Sequence, residues 1–169
     1  MKHIKSMIVF FSLALLALAA APKAGASAMS QTTYVSFNRP VEIPGTVLLP
    51  GTYVFRLAMP TSDMHVIQVF KKNDRQLVAT LFTIPDFKAK PANNVIVMFK
   101  ENPAAAVAPA PIKEWLYPGN KTAQEFVYPR KRAIQIARAT NEDVPAATET
   151  ALRSGALHMS DVSMVTPQS

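Results

Sequence analysis

The 169-residue sequence contains no cysteine, three histidines, one tryptophan and five glycines. Each shortage closes off a class of chemistry. Without cysteine there is no disulfide framework, no thiol nucleophile, no thiolate metal site and no residue to carry the lipid of a bacterial lipoprotein. His3, His65 and His158 are widely separated, and no Gly-x-Ser-x-Gly elbow accompanies them, which argues against a hydrolase triad. Gly25, Gly45, Gly51, Gly119 and Gly155 stand alone, so no phosphate-cradling loop is spelled out. The acids Glu42, Asp63, Asp74, Asp86, Glu101, Glu114 and Glu125 are scattered. Glu114 and Glu125 flank Pro118-Gly119-Asn120 and are expected to face each other across that turn as a surface pair, not as an acid–base couple. These absences point to a protein that is not an enzyme and holds no cofactor.

Long apolar runs are also scarce. The one long run, residues 7–21, follows Lys2 and Lys5 and precedes the small-residue triplets Ala24-Gly25-Ala26 and Ala26-Ser27-Ala28. That order is a secretory signal peptide over residues 1–28, and the run is shorter than the ~20 residues a spanning helix needs. The expected location is periplasmic or secreted, with membrane contact only through the cleaved leader. The formal charge of +7 then loses Lys2, Lys5 and Lys23, leaving 15 basic residues against 11 acidic and a net +4. A charge of that size on a secreted protein gives no argument for nucleic acid.

What the sequence has in quantity is strand and turn chemistry. In residues 47–57, Pro50-Gly51 opens a run in which Tyr53, Phe55 and Leu57 face one way and Thr52, Val54 and Arg56 the other. Similar short segments occupy 31–37, 41–43, 65–71, 76–82, 95–99, 114–117 and 125–128. Between them lie Pro44-Gly45, residues 72–75, Ile84-Pro85-Asp86-Phe87 and an Ala/Pro-rich stretch at 103–111 read as an extended loop or spacer. The expected class is all-β, an antiparallel sandwich or open barrel of about seven to eight short strands over residues 29–129. Residues 130–145 are expected to form a short basic helix and linker, with Ile134, Ala137 and Arg138 on one face and Asn141 as the C-cap. An alternating strand through Ile134, Ile136 and Arg138 fits the same residues. Residues 146–169 lack sustained periodicity and are expected to be a disordered tail with a transient helix near 148–157.

The candidate binding surface is aromatic and basic: Tyr53, Trp115, Tyr117, Tyr128 and the trio Arg130, Lys131, Arg132, with Tyr34 as a further stacking residue. The rings suit a sugar or a peptide anchor, the trio an anionic glycan or head group, and exposed sheet edges an added peptide strand. Against this stands core packing of the aromatics, with the Tyr53 hydroxyl needing a partner if buried. The alternative is a periplasmic carrier of a small molecule or of copper through Met64, His65, His158, Met159 and Met164. Neighbouring residues on a strand point apart, however, so Met64 and His65 share an ion only across a bulge.

Residues 37–45 (Phe-Asn-Arg-Pro-Val-Glu-Ile-Pro-Gly), 49–55 (Leu-Pro-Gly-Thr-Tyr-Val-Phe) and 124–129 (Gln-Glu-Phe-Val-Tyr-Pro) together resemble an uncharacterised family of secreted bacterial β-sandwich-like proteins, over roughly residues 34–145. Residues 49–53 are also similar to strands of prealbumin-like and other sandwich modules of bacterial envelopes. These are turn and strand residues. The resemblance implies the fold and a secreted life, and carries no activity to any position. The expectation is a binding or structural module of the cell envelope, whose partner is an envelope polymer or another secreted protein. The sequence leaves the ligand and the oligomeric state open.

Overall fold

The computed structural model describes residues 32–58, 65–72, 76–100 and 109–169. The expected signal peptide and Met64 lie outside them, as do most of the Ala/Pro stretch and the loop residues 73–75.

Nine strands make one large sheet: β1 (Thr32–Phe37), β2 (Val41–Ile43), β3 (Thr46–Leu48), β4 (Gly51–Leu57), β5 (His65–Lys71), β6 (Leu77–Phe87), β7 (Ile96–Phe99), β8 (Ala110–Leu116) and β9 (Thr122–Phe126). The spatial order is β1-β4-β5-β6-β9-β8-β2-β3, with β7 also on β8. The chain is all-β with a short helix, as its turn spacing predicts, and the sheet does not close into a barrel. It curls instead. Phe55 of β4 lies 6.4 Å, ring to ring, from Trp115 of β8, four strands further along the order.

Alternation decides which side faces in. Along β4, Tyr53 and Phe55 are buried while Arg56 is exposed. Phe55, Ile67, Val69, Ile112, Trp115 and Phe126 share one apolar cluster. Pro44-Gly45 forms the tight turn between β2 and β3, pairing Ile43 with Thr46, and Gly45 takes φ +84°, where a β-carbon is strained. The sequence expectation ended the sixth strand before Pro85, yet β6 continues to Phe87 and pairs with β9. The β5 ladder stops at Thr83, so Pro85 sits where β6 is laddered on one side, the setting in which a strand tolerates proline.

Beyond β9, a short strand β10 (Tyr128–Pro129) runs into the helix α1 (Arg130–Thr140). The helix reading is the right one and Asn141 caps it at φ 56°, ψ 31°. Its buried face differs from the expected one: Ala133, Ile136, Ala137 and Thr140 face in, while Arg138 is exposed and donates to the Ser169 carbonyl oxygen. That face follows the i, i+3, i+4, i+7 rule once the helix starts at Arg130.

The disordered-tail expectation is corrected. Residues 144–169 form β11 (Val144–Ala147), the short helix α2 (Glu149–Arg153), a 3-10 turn (Met159–Asp161) and β12 (Ser163–Val165). A second sheet, β10-β11-β12, places parallel β10 and antiparallel β12 on either side of β11. Val144 and Val165 join the main core, and Leu157 packs with Phe82, Val127 and Ala147. Strands of three and four residues are too short to show a period, although Val144, Ala146, Ala147 and Val165 are buried. Among the described residues no helix is long and apolar enough to cross a membrane.

Candidate functional site

The structure separates the seven predicted surface residues. Trp115 and Tyr128 are fully buried and Tyr53 nearly so, which removes all three from any binding face. The polar atom of each of these three side chains has a partner. The Tyr53 hydroxyl donates to the Leu49 carbonyl at 2.9 Å, Trp115 Nε1–H to Thr33 Oγ1 at 3.1 Å, and the Tyr128 hydroxyl to the Ile112 carbonyl at 2.8 Å. Burial, with the Glu42 carboxylate nearby, holds the Tyr128 phenol well above its ordinary range, so it stays a donor. Tyr117 is half-buried, edge-on to Trp115 at 6.1 Å.

The basic trio also divides. Arg132 grips Glu42 with two parallel hydrogen bonds, Nε to Oε1 at 2.7 Å and Nη2 to Oε2 at 2.6 Å, and these raise its own proton affinity. It is a clamp between α1 and β2. Arg130 is exposed and reaches Ser163 Oγ at 2.9 Å, tying the helix to β12. Lys131 is exposed and has no carboxylate partner among the described residues. It lines a groove of about 350 Å³ with Gly45, Thr46, Val47 and Gln135, but Glu42 and Glu149 line the same groove and cancel much of its positive character.

Glu114 and Glu125 do face each other, in register on β8 and β9, but not at the surface. Glu114 is 1% exposed; its Oε1 meets Lys88 Nζ at 2.9 Å and its Oε2 is buried without a hydrogen-bond partner among the described residues. Lys88 also bonds Asp86 at 2.7 Å. Burial pulls Lys88 down, but the two carboxylates hold it above its ordinary value. Asp86 is lowered chiefly by that hydrogen bond. Lys100, 4% exposed, bonds Glu125 Oε1 at 3.2 Å and the Asp143 carbonyl at 2.6 Å. Lys113, the extra residue of a bulge between the Met98–Glu114 and Phe99–Ile112 pairs, bonds Glu142 at 2.7 Å and is raised by it. Lysine ammonium groups thus sit where a metal would have to, and the layer reads as a structural charge network.

The outer face of β1, β4 and β5 is different in kind. Register aligns three rows across it: Thr32, Arg56, Gln68; Tyr34, Val54, Phe70; and Ser36, Thr52 with Lys72 at the end of β5. The middle row is apolar, and Tyr34 is 64% exposed. Arg56 lies over the Phe70 ring at 4.4 Å and Lys72 over the Tyr34 ring at 5.6 Å, both within cation–π range. Ser36 Oγ and Thr52 Oγ1 bond each other at 2.8 Å. A shallow depression of about 480 Å³ is lined by Thr32, Tyr34, Val54, Arg56, Phe70, Lys71 and Lys72, with no carboxylate among the described residues. Only Tyr34 of these was singled out from the sequence. Arg56 and Lys72 were legible in principle, as the out-facing cations of two alternating strands, once the strands were known to be neighbours.

His65 Nδ1 lies 2.7 Å from Gln124 Oε1, to which the Thr83 hydroxyl also donates at 3.0 Å, so its ring is engaged in the sheet. His158 and Met159 are exposed, and among the described residues no group of three His, Asp or Glu could hold a metal ion. No protein-family model, no curated protein and no solved structure matches this chain.

Proposed function

We propose that the protein is a secreted, non-enzymatic binding module of the bacterial cell envelope, and that it holds an anionic glycan on the outer face of β1, β4 and β5. One observation carries the reading: an aromatic–aliphatic row, Tyr34-Val54-Phe70, is flanked by hydroxyl-bearing rows and by the cations Arg56 and Lys72, which have no carboxylate partner among the described residues. Tyr34 and Phe70 stand two strands apart, about 10 Å, a spacing that offers two stacking points to an extended chain. Sugar faces pack on rings, the hydroxyl rows meet sugar hydroxyls, and the cations meet carboxylates or phosphates.

The test is co-sedimentation of the protein, purified from the periplasm or medium of an expressing bacterium, with peptidoglycan sacculi. Binding is expected to weaken about tenfold in Tyr34→Ala and in Arg56→Ala/Lys72→Ala, and to weaken with salt. Equal sedimentation of both variants and the parent sinks the reading. Recovery of the protein with its first 28 residues intact from the cytoplasm sinks the secreted part.

A further inference from the structure

Two edge strands of the curled sheet, β1 and β7, face each other among the described residues. Among the described residues β1 pairs only with β4, and β7 only with β8. Trp115, the register partner of Val97, bonds Thr33, and the Phe37 and Phe99 rings lie 6.3 Å apart. Moving from Thr33 to Phe37 therefore follows Val97 to Phe99, so β1 and β7 run in the same direction along an open seam. The seam is a slot of about 560 Å³, lined by Tyr34 through Arg39 and Val41 on one side and by Val95, Val97 and Phe99 on the other.

We propose that this seam binds an extended segment of another protein as an added strand, antiparallel to both β1 and β7. Every second residue of an edge strand turns its N–H and C=O to the open side, so two such edges offer a ladder on both flanks of one incoming strand. Neither strand carries a guarding residue of its own. β1 and β7 hold no charged residue and no proline, and the outward Ile96 and Met98 of β7 are exposed. The side chains lining the slot are alternately Val35 and Phe37 from β1 and Val97 and Phe99 from β7, which suits a segment with β-branched residues at every second position. Arg39 is the one charged residue of the described lining, just past the C-terminal end of β1. An antiparallel segment meets it with its N-terminal end, so the segment carries an acidic residue there.

The probe is a synthetic Glu-Val-Thr-Val-Thr-Val peptide with blocked ends, added to the purified protein and followed by amide hydrogen exchange. The expected result is slowed exchange in β1 and β7, lost when alternate peptide amides are N-methylated. Replacing the N-terminal Glu by Lys is expected to weaken binding about two- to fivefold, the worth of an exposed ion pair. Unchanged exchange in both strands at saturating peptide overturns the proposal. Protection of both strands that rises with protein concentration alone overturns it too, because a second copy then fills the seam. No variant of the protein is needed, so a folding defect cannot imitate either outcome.

Discussion

Glu114 on β8 lies directly opposite Glu125 on β9, two carboxylates in register and both largely buried. Like charges facing across a ladder are destabilising, and burial adds to the penalty. The arrangement persists because each carboxylate has its own lysine: Lys88 at 2.9 Å from Glu114 and Lys100 at 3.2 Å from Glu125. Lys100 also binds the Asp143 carbonyl, so the network fastens the loop before β11 to the large sheet.

Breaking one of these pairs is expected to cost more than removing both partners. Lys100→Met leaves Glu125 buried without its ammonium and is expected to lower unfolding free energy by about 3–5 kcal/mol, whereas Lys100→Met/Glu125→Leu recovers most of the loss. Urea denaturation of parent, singles and double checks it. A double variant no more stable than Lys100→Met contradicts the network.

The pH dependence has a defined sign. Burial raises Glu125 above its ordinary value near 4.5, with Lys100 opposing. The folded state then binds more protons than the unfolded state between the ordinary and the raised value, so stability falls as pH rises through that window. Asp86 is lowered from 3.8, so its contribution is present above that value and is lost as pH falls through the folded one; its exposure keeps it small. Denaturation midpoints of parent and Glu125→Gln, measured from pH 4 upward, are expected to converge at the acid end and to diverge as pH rises, with the parent losing ground. Parallel profiles contradict the assignment.

The C-terminal segment is part of the fold. Val165 is buried against the main core, and β12 completes the β11 ladder. Removing residues 163–169 is expected to cost about 2 kcal/mol or more, the burial of one valine plus its ladder. A disordered tail loses nothing on the same truncation, so an unchanged melting temperature contradicts the structure.

The division between legible and illegible features has physical causes. The strand at 51–57 was readable because alternation and the Pro50-Gly51 turn spoke together, and that at 65–71 because alternation ran into the turn-forming sequence of residues 72–75. The tail was not, because β11 and β12 are too short to show a period and are held by partners distant in sequence. The same holds for the candidate site. Tyr34, Val54 and Phe70 form a row only because β1, β4 and β5 are neighbours, and no spacing in one dimension shows that. The predicted aromatic surface went the other way: Trp115 and Tyr128 have inward positions on β8 and β10, and their polar atoms found partners there.

The central claim is that ligand lies on the Tyr34 face. The most direct measurement is backbone amide NMR of the purified protein titrated with soluble, carboxylate-bearing peptidoglycan fragments. The account predicts shifts concentrated at residues 32–36, 52–56 and 68–72, diminished in Tyr34→Ala. Shifts centred instead on Lys131 and Gln135, or none at saturating fragment, would contradict it.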